Sequence, residues 1–421
     1  MDLFIKHKNL VFITIMITIT TLTYLNHFDN SFHFDDFHTI TKNPNIRSIK
    51  NIPLFFKDGS TISTLPQNQA YRPILATSLA IDYWIGNGYN LFYFHLSSYI
   101  LFIITGILLF LFASKVFNLS DKNKYNFYIA AALTLWYMIH PVMAETVNYI
   151  IARSDLQSTF FVVLAFILYQ YSKVSRKYFL YLIPVIIGAL AKPTTIMFAP
   201  LLIVYIALFE EEINFTKLHR ISQKSRITKT LYKSFPALIA CIGLYFFQDY
   251  MTPSNFSTGS SDTFRYLITQ PSVIFYYFGS IFLPIHLSAD TDWSLLNSIW
   301  SIQFILGIIF VFSLIFIAFI CSRNKKHYPI AFGILWFFIA LAPTSSFIPL
   351  GEVMNDHRMF FPYIGLIIAV VHSIWLLIIF LIKKHTFSFK YIPLGVSILI
   401  ILYGFGTVSY THLTLPTTPY V

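Results

Sequence analysis

Charge is what this chain has least of. Only 11% of its 421 residues are Asp, Glu, Lys or Arg, where a soluble domain carries roughly a quarter. That shortage excludes an ordinary water-soluble globule. Cysteine is nearly missing as well. Cys241 and Cys321 lie in or beside apolar segments, so they support neither a disulfide framework nor a cysteine metal site. No solenoid-type repeat and no soluble-domain stretch interrupts the pattern. Acids are fewer than bases, 18 against 29, for a net charge of +11. Such an excess can signal nucleic acid, but here the bases gather in the loops of one side, and no nucleic-acid partner is expected.

What the sequence has is apolar and aromatic mass, 56% and 19% of the residues. Apolar runs recur along nearly the whole chain, each near the ~20 residues that cross a bilayer. We read spans at 9–25, 91–113, 127–141, 157–172, 178–191, 194–209, 235–249, 301–322, 328–342, 361–382 and 391–409. A further apolar stretch at 266–287 reads as a re-entrant or interfacial element. The expected fold is an all-α polytopic membrane protein of about eleven transmembrane helices plus that one segment.

Loop charge sets the orientation. With the N-terminus cytoplasmic and 266–287 not changing sides, 20 of the 29 bases face the cytoplasm and 13 of the 18 acids face away. Cytoplasmic loops carry the Lys/Arg excess. A full crossing at 266–287 would put "CSRNKKH" (321–327) outside, against that rule. The first apolar segment follows Lys6 and Lys8, and no small-residue cleavage site is evident in "TLTYLNHFDN". It reads as an uncleaved first span rather than a signal peptide. The large loop 26–90 is then extracytoplasmic, with "YRPILATSLAIDYWIG" (71–86) as an interfacial helix, and 210–234 is a basic cytoplasmic linker. The tail "SYTHLTLPTTPYV" (409–421) breaks the composition abruptly. It resembles a translated sequencing adapter, so the expected module is 1–408.

The unusual residues collect on the outer side. "SFHFDDFHTITKNPNI" (31–46) places Asp35 and Asp36 between His33 and His38 at the exit of the first span. A carboxylate there can take a proton from an incoming hydroxyl. The bland alternative is a solvated loop acid or a helix cap. Lys192, in "LAKPTT", sits at a tight turn between two apolar spans. A Lys at a membrane boundary is costly unless it snorkels or meets an anion. Arg153 and Arg358 lie in comparable places. Each alone reads as an ion-pair partner, of Asp155 or Glu145 for Arg153, and of Glu352 or Asp356 for Arg358. Together the three cations suggest one shared anion, and a lipid phosphate fits their chemistry. Arg72, His140, Glu145, Asp155 and Glu352, in "YRP", "HPVMAETVNYIIARSD" and "GEVMNDHRMFFP", are candidates for acceptor or structural support. His33 and His38 raise a divalent-metal option. No ligand spacing repeats, so no metal ligand is assigned and no other cofactor is expected.

The order of "FDDFHTITKNPNI", "YRPILATSLAIDYWIGNGYNLFYFHLSSYILF", "HPVMAETVNYIIARSDL", "LAKPTTIMFAPLLIVY", "LPIHLSADTDW" and "EVMNDHRMFFPYIG" resembles the transmembrane-and-TPR-repeat O-mannosyltransferases and their bacterial relatives. Each piece is a weak signal, and the order over roughly 10–405 is what carries it. The resemblance implies a GT-C glycosyltransferase module in a bacterial inner membrane. It implies transfer of a mannose-like sugar from a polyprenyl-phosphate donor to a Ser or Thr hydroxyl of protein, on the extracytoplasmic face. It maps the family's acidic pair onto Asp35 and Asp36, with Asp35 as the base of an inverting transfer. The expected partners are that donor, an acceptor protein or glycolipid, and the bilayer. The family's TPR repeats have no counterpart here, which leaves acceptor recognition open. A transferase of the same build acting on lipid A, a cell-wall polymer or a glycolipid is the main alternative. A lipid-linked sugar transporter is a further one, although transporters often show internal repeats and charge near the midplane.

Overall fold

The computed structural model describes residues 2–411 apart from 258, 260–261, 286, 288–290, 292, 347–348, 385–387 and 389–390. Part of the predicted outer loop 283–293, Lys390 and residues 412–421 of the tail therefore lie outside the described residues.

The described chain is helical, with one isolated bridge between Gly259 and Leu350. In chain order the helices are α1 (Asp2–Thr23), α2 (Ile52–Phe55), α3 (Pro73–Ile85), α4 (Leu91–Ser120), α5 (Asn126–Met138), α6 (Val142–Asn148), α7 (Arg153–Tyr171) and α8 (Lys173–Lys177). There follow α9 (Leu182–Ala189), α10 (Phe198–Tyr205), α11 (Ile221–Met251), α12 (Thr263–Ser280), α13 (Ile302–Cys321), α14 (Tyr328–Leu341), α15 (Pro362–Lys383) and α16 (Ile392–Thr411).

Each of the eleven predicted spans falls on a helix, but fewer than eleven of these helices are, taken alone, long and apolar enough to cross a membrane. Among the described residues six helical stretches are long and apolar enough to cross a membrane, or seven if the bent pair α5–α6 is one span. The difference has local causes. Within the predicted span 178–191, Phe179 adopts a left-handed backbone (φ 56) and the helix begins only at Leu182. The eight residues of α9 reach about 12 Å, well short of a ~30 Å hydrocarbon core. The 14 residues of α14 are also short. The stretch predicted as re-entrant or interfacial forms α12, which carries Arg265, Gln270 and an internal Pro271. It is not among the six.

The long α4 is the ruler of the molecule. It packs on α5 and α7, while α14 packs on α15 and α12 on α13. Small residues permit the closest approach. A Cβ on Gly365 would sit 2.5 Å from the Gly333 carbonyl oxygen, so α14 and α15 touch backbone to backbone, as membrane helices do at glycines. Between α5 and α6 the chain bends by 62° at His140–Pro141, where proline withholds a backbone donor.

The loop 26–90 has a core of its own. Ile40, Ile46, Phe55, Ile62, Leu75 and Leu79 are buried with Phe94 of α4 and Ile150–Ile151. Helix α3, at the predicted 71–86, buries Leu75, Ala76, Leu79 and Ala80 and leaves Ile81, Trp84 and Ile85 exposed. Asn43 ties the loop from within, donating to the carbonyls of Thr39, Thr61 and Ile62. This packing presents the acidic pair on a fixed frame.

Candidate functional site

The two acids of the opening motif part company at once. Phe34, just before them, has a left-handed backbone (φ 39), an uncommon conformation for a bulky residue. A π-helical turn, Phe37–Thr41, follows. Between the two, the Asp35 side chain is 54% exposed while Asp36 is fully buried. Asp36 accepts from the His33 backbone N–H at 3.1 Å and from the Ile151 N–H at 3.0 Å, one on each oxygen. It therefore pins the loop to the entry of α7. Burial pushes its carboxyl up to about 7, with the Asp35 charge adding and the two backbone N–H groups and Arg153 opposing.

Asp35 is held from the side. His38 Nε2 lies 3.0 Å from Asp35 Oδ1 and 3.1 Å from the Asn68 amide nitrogen. Ser63 Oγ lies 2.9 Å from the other ring nitrogen. The Asp35 N–H donates to the Tyr149 hydroxyl at 2.9 Å. His38, raised from sequence as a metal option, thus serves here as a clamp on Asp35. Among the described residues no group of three or more His, Cys, Asp or Glu is placed to hold a metal ion.

The cations behind this carboxylate fall into two kinds. Arg153 is buried, and its partner is Asp82 of α3, not Asp155 or Glu145. The same guanidinium donates to Ser98 Oγ at 2.9 Å, Ser78 Oγ at 3.4 Å and the Phe94 carbonyl. It locks α3, α4 and α7 together. Lys192 is different. Its ammonium donates to both oxygens of Asp155 at 2.6 Å, which leaves one of its three N–H groups uncommitted. Burial pulls the Lys192 ammonium below its ordinary range, Asp155 opposes that, and Arg72 and Arg358 add like charge.

Arg72 stands between the two groups. Burial lowers its pKa, and the charges of Asp155 and Asp35 oppose the shift. Among the described residues its Nε is buried without a hydrogen-bond partner. Arg358 pairs with Glu352 at 3.6 Å and donates to that residue's carbonyl at 2.9 Å. Its Nη1 is buried with no hydrogen bond of good geometry among the described residues, and the Tyr266 hydroxyl lies close to the guanidinium. Of the two acids considered from sequence, Glu352 is the one paired with Arg358, and it also accepts from Asn355 at 2.6 Å.

Glu145 is buried on α6 and meets His357, whose Nδ1 lies 3.0 Å from its Oε1. Sequence reasoning did not single out His357. His140 stands apart from the charged group. Its Nε2 lies 3.1 Å from the Ile281 carbonyl oxygen, its Nδ1 accepts from the Val142 N–H, and its ring packs on Tyr363 and Tyr403. It holds the α5–α6 bend.

The structure therefore brings Asp35, Arg72, Asp155, Lys192, Glu145, His357 and Arg358 into one electrostatic network. Chemically this is an exposed carboxylate whose charge reaches Arg72, and Arg72 in turn shares the field of Asp155 with Lys192, which feels Arg358. Such an arrangement can accept a proton and hold an anion in one place.

No family model and no solved structure matches the chain. Curated relatives do. Protein O-mannosyl-transferase TMTC4 of Mus musculus is 27% identical over 160 residues, 36% of this chain and 22% of its own length. Protein O-mannosyl-transferase TMTC1 of Mus musculus is 30% identical over 146 residues, 34% of this chain and 15% of its own length. Protein O-mannosyl-transferase F38B6.6 of Caenorhabditis elegans is 26% identical over 192 residues, 45% of this chain and 27% of its own length. The chain thus spans less than a third of the length of these relatives. Over the matched third to half of its residues, it is similar in sequence to the TMTC-type protein O-mannosyl-transferases.

Proposed function

We propose that this chain is a membrane glycosyltransferase. It moves a mannose-like sugar from a polyprenyl-phosphate carrier to a Ser or Thr hydroxyl of protein on the extracytoplasmic face. The observation that carries the reading is a set of spare donors linked to Asp35 through the field of Arg72. These are the third N–H of Lys192, Arg72 Nε and Arg358 Nη1. Buried guanidinium donors without partners are costly, and a phosphate oxygen satisfies them. The printed names of the curated relatives support the same class of reaction.

The acceptor hydroxyl approaches Asp35 on its exposed side and gives up its proton there as the oxygen attacks the sugar carbon. Asp35 is the base rather than Asp36 because Asp36 is buried and both its oxygens are engaged. Attack from the side opposite the phosphate inverts the anomeric centre. Charge developing on the phosphate is met by Lys192, Arg72 and Arg358. Losing one such donor costs about 10²–10³ in rate, by analogy with oxyanion sites. Arg153, spent on Asp82, acts through the frame. The carrier's apolar tail stays in lipid, which explains a headgroup site at the membrane boundary.

The test is transfer of labelled sugar from a polyprenyl-phosphate donor to an acceptor peptide in membranes holding the full chain. Asp35→Asn should abolish transfer and spare donor binding, because Asn cannot act as a base at neutral pH. Lys192→Ala and Arg358→Ala should each slow transfer about 10²-fold. Wild-type rates in all three variants at equal protein level would refute the reading. Translocation of the donor without transfer would favour a carrier instead.

A further inference from the structure

We propose that His357, oriented by Glu145, is the proton donor to the departing phosphate of this reaction. The inference rests on the transfer reading above and extends it to a residue that reading leaves unused.

The geometry is that of a carboxylate–imidazole dyad. Glu145 Oε1 lies 3.0 Å from His357 Nδ1 and fixes that nitrogen as the one carrying a hydrogen toward the carboxylate. The His357 backbone is pinned too: its N–H donates to Asn355 Oδ1, and its carbonyl accepts from Thr146 Oγ1. Among the described residues Nε2 has no hydrogen-bond partner, and the ring is 21% exposed while Glu145 is buried. The open side of the imidazole is thus the side away from Glu145. Three charges act on the ring from other elements: Glu145 of α6, Asp155 of α7 and Lys192. Lys192 in turn feels Arg358, and Tyr410 of α16 lies in the field of Glu145 and Asp356. His357 therefore shares its surroundings with two of the cations assigned to the phosphate.

Burial and the Lys192 charge work against the imidazolium, but the Glu145 charge and hydrogen bond, with Asp155 behind them, outweigh both and raise the His357 pKa. An imidazole whose charged form is favoured by its surroundings suits an acid beside an anion. In the step, the bond from the sugar carbon to the phosphate oxygen breaks and its electron pair stays on that oxygen. The oxygen takes the Nε2 proton. The acceptor oxygen bonds the sugar carbon and its own proton goes to Asp35. Water then returns a proton to His357 and takes one from Asp35.

The experiment reads pH dependence twice, as turnover and as binding of the product lipid, polyprenyl phosphate, by the full chain in membranes. Wild type should lose both turnover and lipid binding as pH rises through an alkaline limb above the ordinary imidazole range. His357→Gln should remove that limb from both curves and lower turnover about 10²-fold. Glu145→Gln should move the limb to lower pH. A limb that stays in place in His357→Gln would overturn the proposal. So would polyprenyl-phosphate binding that is independent of pH in wild type. Asp35→Asn separates the two readings: it should keep the binding limb while losing turnover. Full turnover in Asp35→Asn with the binding limb intact would defeat the base assignment and leave His357 standing.

Discussion

The two ends of α4 carry charge in opposite ways. At the Ser120 end, the Ser120 hydroxyl donates to the Lys325 carbonyl. There Lys325 pairs with Glu212, and Lys233 pairs with Glu210 and Glu211. Those lysines are 46% and 39% exposed. At the Phe94 end, some 39 Å away by helix rise, the pairs are sunk: Arg153–Asp82, Lys192–Asp155 and His357–Glu145. Exposed pairs are inexpensive and contribute little. Buried pairs cost several kcal/mol in desolvation and add little net stability over apolar side chains of the same shape. The end with the fewer bases is therefore the end where charge is held at a cost. Stability does not account for that cost; the chemistry proposed for that end would.

The sharpest way to break this comparison is Arg153→Ala. It leaves Asp82 buried without its cation and should destabilise the protein by about 3–5 kcal/mol. Thermal unfolding in detergent measures it. Replacing both partners, Arg153→Met with Asp82→Leu, should recover much of the loss. A single variant as stable as wild type would free Arg153 from its structural role and return it to the phosphate contacts.

The acidic pair makes the same contrast on a smaller scale. Asp36→Asn turns an NH₂ group toward one of two backbone donors, so it should cost about 1–3 kcal/mol. Asp35→Asn should leave stability unchanged. The pH dependence has a definite sign. The Asp36 pKa is raised in the folded state from 3.8 to about 7, so its contribution is fully present below pH 3.8 and lost as pH rises through 7. Hydrogen-exchange protection factors at residues 33–42, relative to the intrinsic rate at each pH, should fall over that window in wild type and stay flat in Asp36→Asn. Equal protection in both proteins at every pH would mean that Asp36 does not pin the loop.

Much of this was legible in the sequence, and the remainder was not for definite reasons. Apolar runs located the helices, because a bilayer selects length and greasiness. Fewer helices than predicted spans are long and apolar enough on their own where a local backbone feature cuts a run short, as Phe179 does before α9. Oddity of placement drew attention to Asp35, Asp36, Lys192 and Arg358. It could not say which carboxylate faces out. That is decided by the Ile151 N–H, far along the chain from Asp36. Asp82 gave no signal, since one acid in a helix of mixed polarity looks solvated until Arg153 is seen against it. His357 stood in plain view beside Arg358. What could have found it is a His flanked by Asp and Arg in an outer loop, but its partner Glu145 lies on another helix.

The smallest effect belongs to the exposed end. Lys233→Ala removes two contacts, at 2.8 Å to Glu210 and 2.7 Å to Glu211, which is more than Lys192 makes by number of partners. By counting contacts it should matter as much as Lys192→Ala. By burial it should not. Water and salt screen a lysine that is two-fifths exposed, so the loss should be about 0–1 kcal/mol. It should shrink further at ~1 M salt, where the screening length falls to about 3 Å. Lys192→Ala leaves the Asp155 carboxylate with its Lys192 contacts gone in a part-buried site, and its effect should survive that salt. Thermal unfolding of the two variants at low and high salt decides between the accounts. A salt-sensitive Lys192→Ala and a salt-insensitive Lys233→Ala would reverse the comparison between the two ends of α4.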